Sequence, residues 1–454
     1  MKRSRSPRWC LLLVVMGSLG LAWTAAAQVP PRSLDLKEAL RLAWKANPTL
    51  QVSRLQVLIA GEEVVRARSG FLPQVRAELG QTFLDDPTKI RIQGVPPVPG
   101  TSTPTVQMTN RNYWNSKVVV EQTIFDFWGI PSRYQAAVLG KKATLLDNAQ
   151  TRDNIFLNVC QGYFQTLRAI KLVEVARQEV AQLKDHLKIA KDQYEFGVVT
   201  YNDVLQAEVS LADAEQRLIV AKTDVVDIRS VLNKVLALPI SQATELKDEK
   251  DLAIPPQDLP RLTEVALKQR RDLKASKDRI NQQEKVVTQT KAQYYPTIYA
   301  QAGHTWQENT IWVHESQYFA FLGMRWSLFS GLDTRAQVSQ ARDKVDQLKV
   351  QHKDLGEQVK LDVQTAHLSI KDTLERIRVT EKAVVQGEEN LRLNEERYKE
   401  QVGTATDVID AQTLLTKTRV NYTNALYDHQ MAKAQLLWAM GAINELLPEG
   451  QNAP

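Results

Sequence analysis

From Phe156 to Tyr194 apolar side chains recur every three or four positions: Phe156, Cys160, Tyr163, Leu167, Ile170, Val173, Ala176, Val180, Leu183, Leu187, Ala190 and Tyr194. That spacing keeps one face of a helix against a partner helix. After a short turn, Val204, Ala207, Leu211, Ala214, Leu218, Ala221, Val225, Ile228, Leu232 and Val235 carry the alternation on. Ala411, Leu415, Thr418, Tyr422, Ala425, Ala432 and Leu436 repeat it near the C-terminus with smaller or more polar residues. The pattern predicts two long antiparallel helical hairpins. A continuous first arm from about Arg133 to Phe196 would run roughly 95 Å at 1.5 Å per residue. No compact domain is that long, so the helices are expected to cross a space.

Four shorter runs alternate with period two, the signature of strands. Val75, Ala77, Leu79 and Phe83 share one face against Gln74, Arg76, Glu78 and Thr82. Trp114, Val118, Val120 and Ile124 oppose Asn115, Lys117 and Glu121, and Ile298, Ala300, Ala302 and Trp306 oppose Thr297, Tyr299, Gln301 and Thr305. Tyr318, Ala320, Leu322, Met324, Trp326 and Leu328 form the fourth apolar face, whose polar side is interrupted by Phe319 and Phe321. Runs of about 9 to 11 residues, apolar outward and polar inward, suit a membrane barrel around water. Trp114, Trp128, Trp306, Trp312 and Trp326 lie in or beside these runs, as an aromatic girdle at the membrane interfaces requires. The proline-rich stretch from Asp85 to Arg111 is too long for a tight hairpin and suits an extracellular loop. Four strands cannot close a barrel, since the smallest membrane barrels use about eight; two or three chains must share one, with cyclic symmetry.

The chain is also duplicated. Shifted by 223 positions, Ala39 to Val75 aligns without gaps to Leu262 to Ile298, and Pro73 falls on Pro296. "EQTIFDFWG" (Glu121 to Gly129) answers "RWSLFSG" (Arg325 to Gly331), and "QYEFGVVTYNDVLQAE" from Gln193 returns 204 positions later as "RYKEQVGTATDVIDAQ" from Arg397. Each half reads as helix, strand pair, long helix, turn and helix. The predicted organisation is a first repeat over 28–238, with its strand pair at about 73–125 and tip at 196–203. A linker over 239–261 leads to a second repeat over 262–441, with strand pair 296–329 and tip 400–407, and then a tail over 442–454.

Composition narrows the compartment. Lys2, Arg3, Arg5 and Arg8 precede an apolar run from Leu11 to Trp23, and Ala25-Ala26-Ala27 offers a peptidase site, so residues 1–27 read as an export signal cleaved before Gln28. Cys10 precedes the apolar run, which argues against a lipidated N-terminus, and the remaining Cys160 allows no intrachain disulfide. Loss of the signal removes four of the six net positive charges and leaves about +2, which gives no support to a nucleic-acid partner. Beyond residue 27 no apolar stretch nears the roughly 18 to 20 residues of a membrane helix. The six histidines show no metal-ligand spacing, and neither GxSxG, HExxH nor a phosphate-binding glycine loop occurs. The chain therefore reads as a non-enzyme without cofactor or metal.

From residue 34 to 441 the sequence resembles the TolC family of outer-membrane efflux channels. The resemblance rests on Asn47-Pro48, "FLPQV" and "YYPTI" opening the strands, "FDFWG" and "LFSG" closing the strand pairs, and a tip motif in each half. It implies a mainly α fold with a transmembrane β-barrel, a homotrimer sharing twelve strands, a helical periplasmic tunnel, and a belt drawn from 28–35, 239–260 and the C-terminus. It also implies a passive exit duct in the outer-membrane lipid of a Gram-negative type envelope, serving tripartite efflux or type I secretion. Its partners would be a periplasmic adaptor and an inner-membrane pump of RND, ABC or MFS type. The rival reading is a periplasmic coiled-coil adaptor, which also uses long hairpins but lacks strand pairs with interfacial tryptophans.

The docking tips would comprise Gly197, Val198, Val199 and Thr200 in one hairpin and Val402, Gly403 and Thr404 in the other. Gln401 stands where the family has glycine, so the second turn is expected to differ in shape, with Gly403 compensating. Thr200 with Asp203, and Thr404 with Asp407, are spaced as capping boxes. Resemblance places Asp407 and Tyr398 at the closed periplasmic gate. Asp410 answers Gln206, so capping does not demand it, and it shares a helix face with Asp407. A solvated helix face is the alternative for these aspartates.

Overall fold

The computed structural model describes residues 33–92, 105–248, 252–254, 258–308 and 313–447. The export signal with its cleavage site, Trp312 and the end of the tail lie outside the described residues. The first half runs β1 (Ser33–Leu34), α1 (Leu36–Ala46), α2 (Pro48–Arg68), β2 (Gln74–Phe83), β3 (Lys89–Arg91), β4 (Thr105–Gln107), β5 (Asn112–Phe125), α3 (Gly129–Glu195) and α4 (Tyr201–Val235). The second runs β6 (Glu245–Leu246), α5 (Leu259–Gln269), α6 (Arg271–Lys291), β7 (Thr297–Gln307), β8 (Ser316–Arg325), α7 (Asp333–Lys399) and α8 (Ala405–Ala439). Matching helices have matching lengths of 11, 21, 67 and 35 residues in the two halves. The long arms thus extend about 100 Å.

The backbone repeats more faithfully than the side chains. Among the described residues every positive φ belongs to a pair 204 positions apart: Phe127 and Gly331, Trp128 and Leu332, Gly197 and Gln401, Ala237 and Gly441. Gly331 therefore corresponds to Phe127, not to Gly129 as the motif similarity indicates, because two successive left-handed residues precede each long helix. The helix starts correspond as well: Ile130 N donates to Asp126 Oδ2 at 2.5 Å, and Thr334 N donates to Ser330 Oγ at 3.4 Å.

The single opening helix expected in each half is broken in two. Asn47 ends α1 and starts α2: its Oδ1 accepts from Thr49 N at 2.9 Å and Leu50 N at 3.4 Å, while its Nδ2 donates to Val235 O at 2.8 Å. Its counterpart Arg270 has nearly the same backbone conformation but no capping side chain. It is 4% exposed, bonds Asp272 and Asp362 at 2.6 Å each, and stacks on Trp438 at 4.7 Å.

The four main strands form one antiparallel sheet in the order β2-β5-β7-β8, so β2 and β8 are open edges. Val75, Val120, Ala302 and Ala320 lie in one row, and Ala77, Val118, His304 and Tyr318 in the next. Apart from His304 these rows are apolar or aromatic, and the face they form runs across strands from both halves. The register slips between Thr123 and Phe125, so Phe125, not Ile124, pairs with Ile298; the extra residue of a bulge is invisible to strict alternation. Trp114 and Trp306 mark one end of the apolar face, and Trp326 and Trp128 the end where the helices begin. Part of the proline-rich loop pairs as the β3–β4 ribbon. No helix among the described residues is long and apolar enough to cross a membrane, so the sheet is the only described element suited to one.

The main core lies halfway along the hairpins. Phe156, Val159, Cys160, Tyr163 and Phe164 of α3 pack there with Leu40 of α1, Leu232 of α4 and Leu236 just after it, Val359 and Val363 of α7, and Leu436 and Ile443. β1 pairs in parallel with β6, and the Tyr163 hydroxyl lies 3.1 Å from Leu34 O and 2.6 Å from Lys247 O. The start of the described chain, the linker and the last turn, Ile443–Leu446, therefore meet around α3. Toward the tips the core thins to small clusters such as Val180, Leu183 and Ala214.

Candidate functional site at the hairpin tips

Both tips are built by the same turn. In the first, Gly197 N donates to Tyr194 O and Val198 N to Gln193 O, each at 2.9 Å. In the second, Gln401 N donates to Tyr398 O at 3.1 Å and Val402 N to Arg397 O at 2.9 Å. These are the bonds that satisfy the last carbonyls of a helix through one left-handed residue. Gly197 has φ +74° and Gln401 φ +61°, so Gln401 does not change the shape of the turn. Gly403 contributes room, not a left-handed φ: a Cβ there would lie 3.2 Å from Arg397 Cβ and 3.4 Å from Tyr398 N.

Each following helix opens with a reciprocal cap. Asp407 Oδ2 accepts from Thr404 N at 2.9 Å and Thr404 Oγ1 at 2.8 Å, while Asp407 N donates to Thr404 Oγ1 at 3.2 Å. Asp203 Oδ2 accepts from Thr200 N at 2.9 Å and Thr200 Oγ1 at 2.7 Å. The bond from the Thr404 amide, then the one from its hydroxyl, hold the Asp407 carboxyl below the usual carboxylate range. Asp410 is exposed and makes no hydrogen bond or ion pair with the described residues. Its counterpart Gln206 instead receives the Thr406 hydroxyl at 3.2 Å, joining the two tips. Leu205, Val209 and Ile409, rimmed by Asn202, Gln206 and Thr406, line an open groove between them. Val198 and Val402 are exposed, while Val199 is half-buried.

Tyr398 occupies a different environment from the two aspartates. It is 4% exposed, packed with Leu391, Ala405, Val408 and Leu415, and its ring lies 5.2 Å from that of His186. The Tyr398 hydroxyl and His186 Nε2 are both buried without a hydrogen-bond partner among the described residues. Burial, then the Asp203 charge, raises the Tyr398 pKa; burial lowers that of His186. A search for metal-ligand spacing passes over His186, yet it lies three residues beyond Leu183 and four before Ala190, at seam spacing.

Further up, polar ties bind the two hairpins. Gln412 Nε2 donates to Gln182 Oε1 at 2.8 Å, Arg419 Nη1 to Gln178 Oε1 at 3.1 Å, and Arg168 Nη1 to Asp428 Oδ1 at 3.0 Å. Arg376 also reaches Asp428, at 3.4 Å. Of the expected girdle, Trp114, Trp128, Trp306 and Trp326 are described; the Trp326 indole donates to Tyr294 O at 3.1 Å and that of Trp306 to Glu315 Oε2 at 3.3 Å. No group of three or more His, Cys, Asp or Glu among the described residues is placed to hold a metal ion.

Known proteins share this fold. The sequence pattern of the family described as outer membrane efflux protein matches residues 39–238 and 262–442. The outer membrane protein TolC of Escherichia coli is 22% identical over 434 residues, covering 90% of this chain and 83% of its own. The outer membrane efflux protein BepC of Brucella suis is 22% identical over 94% of this chain and 90% of its own. Among solved structures, the outer-membrane channel OprN superposes with a TM-score of 0.77 at 15% identity over 90% of each chain. The Campylobacter jejuni CmeC outer membrane channel gives 0.76 at 16% identity, over 90% of this chain and 85% of its own. With both halves of the duplication matched and the same fold throughout, the chain belongs to the outer membrane efflux protein family.

Proposed function

We propose that three copies of this outer-membrane efflux channel close one barrel and one tunnel, and that the resulting duct is passive, without chemistry of its own. The observation that carries this reading is the sheet: four strands with two unpaired edges and one mainly apolar face run directly into two long helical hairpins. An isolated sheet of this kind leaves backbone groups unsatisfied in lipid, and joining β8 of one copy to β2 of the next removes every edge. Threefold closure of four strands gives the even strand number usual in single barrels of this membrane. The adaptor alternative has no use for such a sheet.

At the other end, the matched tips are docking surfaces for a periplasmic adaptor, and through it for an inner-membrane pump that supplies the energy. The groove of Leu205, Val209 and Ile409 offers the apolar contact and the exposed turns offer the rim. The described parts of segments 33–35 and 239–260, namely 33–35, 239–248, 252–254 and 258–260, form the belt around the tunnel with the C-terminal turn. The gate is a ring of Asp407 and Asp410 from three chains, backed by buried Tyr398. Carboxylates gathered at a constriction repel one another, and a divalent cation relieves that repulsion.

Planar-bilayer recordings test the gate. The resting channel should pass a small, cation-selective current that divalent cations block from the periplasmic side. Asp410→Asn should weaken the block and leave the trimer intact; Asp407→Asn should weaken it as well, with a less stable tip because the capping box is lost. Unchanged block and selectivity in the double variant would return both residues to a solvated face.

A further inference from the structure

The face of the sheet opposite the apolar rows carries Arg76, Glu78, Lys117, Glu121 and Gln301, as a water-filled lumen demands. Tyr299, Phe319 and Phe321 share that face, and polarity gives no reason for them. Their geometry supplies one. Phe319 lies across the strand pair from Gly303, where an added Cβ would sit 3.0 Å from its ring and 2.4 Å from Val118 O. Phe321 lies over Gly323, where a Cβ would meet its ring at 2.3 Å and that of Tyr299 at 3.0 Å. The two glycines let the rings lie down along the wall, so the surface becomes aromatic without obstructing the bore. The Tyr299 and Phe321 rings are 5.9 Å apart, and Phe321 remains 50% exposed.

Arg325 completes the patch. Its guanidinium sits 4.8 Å over the Tyr299 ring, and no carboxylate among the described residues pairs with it. Since β8 leads into α7, Arg325 stands at the helical end of the sheet, where cargo leaving the tunnel would arrive first. A cation beside flat aromatic faces matches a ligand with one acidic group on a planar ring. If the rings served only to cover the glycine backbone, neither the exposed Phe321 face nor the unpaired Arg325 would be needed.

We propose that Tyr299, Phe319, Phe321 and Arg325 form a transit subsite for planar aromatic anions on the lumen wall. The subsite rests on the channel reading given above. Single-channel recording in planar bilayers tests it with 2-naphthalenesulfonate, and with methanesulfonate as a control of equal charge and no ring. Both are added on the extracellular side, so that neither has to cross the tips. The parent should show interruptions with the aromatic sulfonate and none with methanesulfonate. Dwell times should shorten about tenfold in Phe319→Ser/Phe321→Ser, given two lost ring contacts, and severalfold in Arg325→Gln, with open conductance at or above the parent's. If the serine variant does not assemble, Phe321→Leu keeps Gly323 covered but removes the π face, and should itself shorten the dwell severalfold. Equal dwell times in these variants, or equal interruptions by methanesulfonate, would overturn the subsite while leaving the channel standing. A trimer that shows no conductance steps would overturn the channel reading and the subsite with it.

Discussion

In Gln401→Gly the second tip loses a strained side chain while keeping every bond of its turn. Gln401 sits at φ +61°, where its twin Gly197 sits at +74°. An L-residue in that region costs roughly 1–2 kcal/mol because its Cβ crowds the following carbonyl oxygen. Gln401 recovers none of this through its side chain, which is exposed and makes no hydrogen bond with the described residues. Glycine removes the crowding but gives the unfolded segment more freedom, which takes back about 0.5–1 kcal/mol. The net gain is about 0.5–1 kcal/mol, or roughly a two- to fivefold shift in the local opening equilibrium. Hydrogen exchange of the amides of Val402 and Gly403 reads that equilibrium directly, because both close the turn on Arg397 O, at 2.9 and 3.0 Å. Their exchange should slow by this factor, and Gly197→Gln should speed exchange at Val198 by a similar one. Unchanged or faster exchange in Gln401→Gly would refute the argument that the tip stores strain.

Burial holds His186 below its ordinary pKa of 6.5, so it is neutral in the folded tip. The unfolded chain takes up its proton first: this contribution to stability is intact above about pH 6.5 and declines as pH falls toward the lowered folded value. His186→Phe should flatten the pH dependence of denaturant midpoints between about pH 7.5 and 5, and an unchanged slope would count against the buried neutral imidazole. Arg270→Met leaves Asp272 and Asp362 without their shared cation in the central core. It should cost about 3 kcal/mol in denaturant unfolding, whereas a loss under about 1 kcal/mol would mean that solvent already screens the pair.

Much of the architecture was legible in the sequence because it is repetitive. A seam sustained from Phe156 to Ala190 admits only a long helix, and period-two alternation from Val75 to Leu79 admits only a strand with two unlike faces. The spacing of Thr404 and Asp407 likewise specifies a cap by local chemistry alone. What escaped depends on contacts between distant segments. The break at Arg270 has no glycine, proline or capping residue; Asp362 and Trp438 impose it from other helices. The left-handed backbone of Gln401 is dictated by the turn that both halves share, against the residue's own preference. Phe319 and Phe321 look like errors of alternation until Gly303 and Gly323 are seen beneath them. The burial of His186 has no mark in the sequence, because a histidine at seam spacing is as compatible with a solvated face as with a core until the facing helix is in place. The proposed gate cannot be legible in one chain, since a ring of this kind would need carboxylates from three.

The central claim is that three chains complete one barrel, and the mass of the detergent-extracted protein tests it most directly. Native mass spectrometry, after extraction from outer membranes and with detergent stripped in the gas phase, should give a single species of three chains. A well-folded single chain, helices and sheet intact, that stays monomeric under the same conditions, with β2 and β8 still open, would contradict the account.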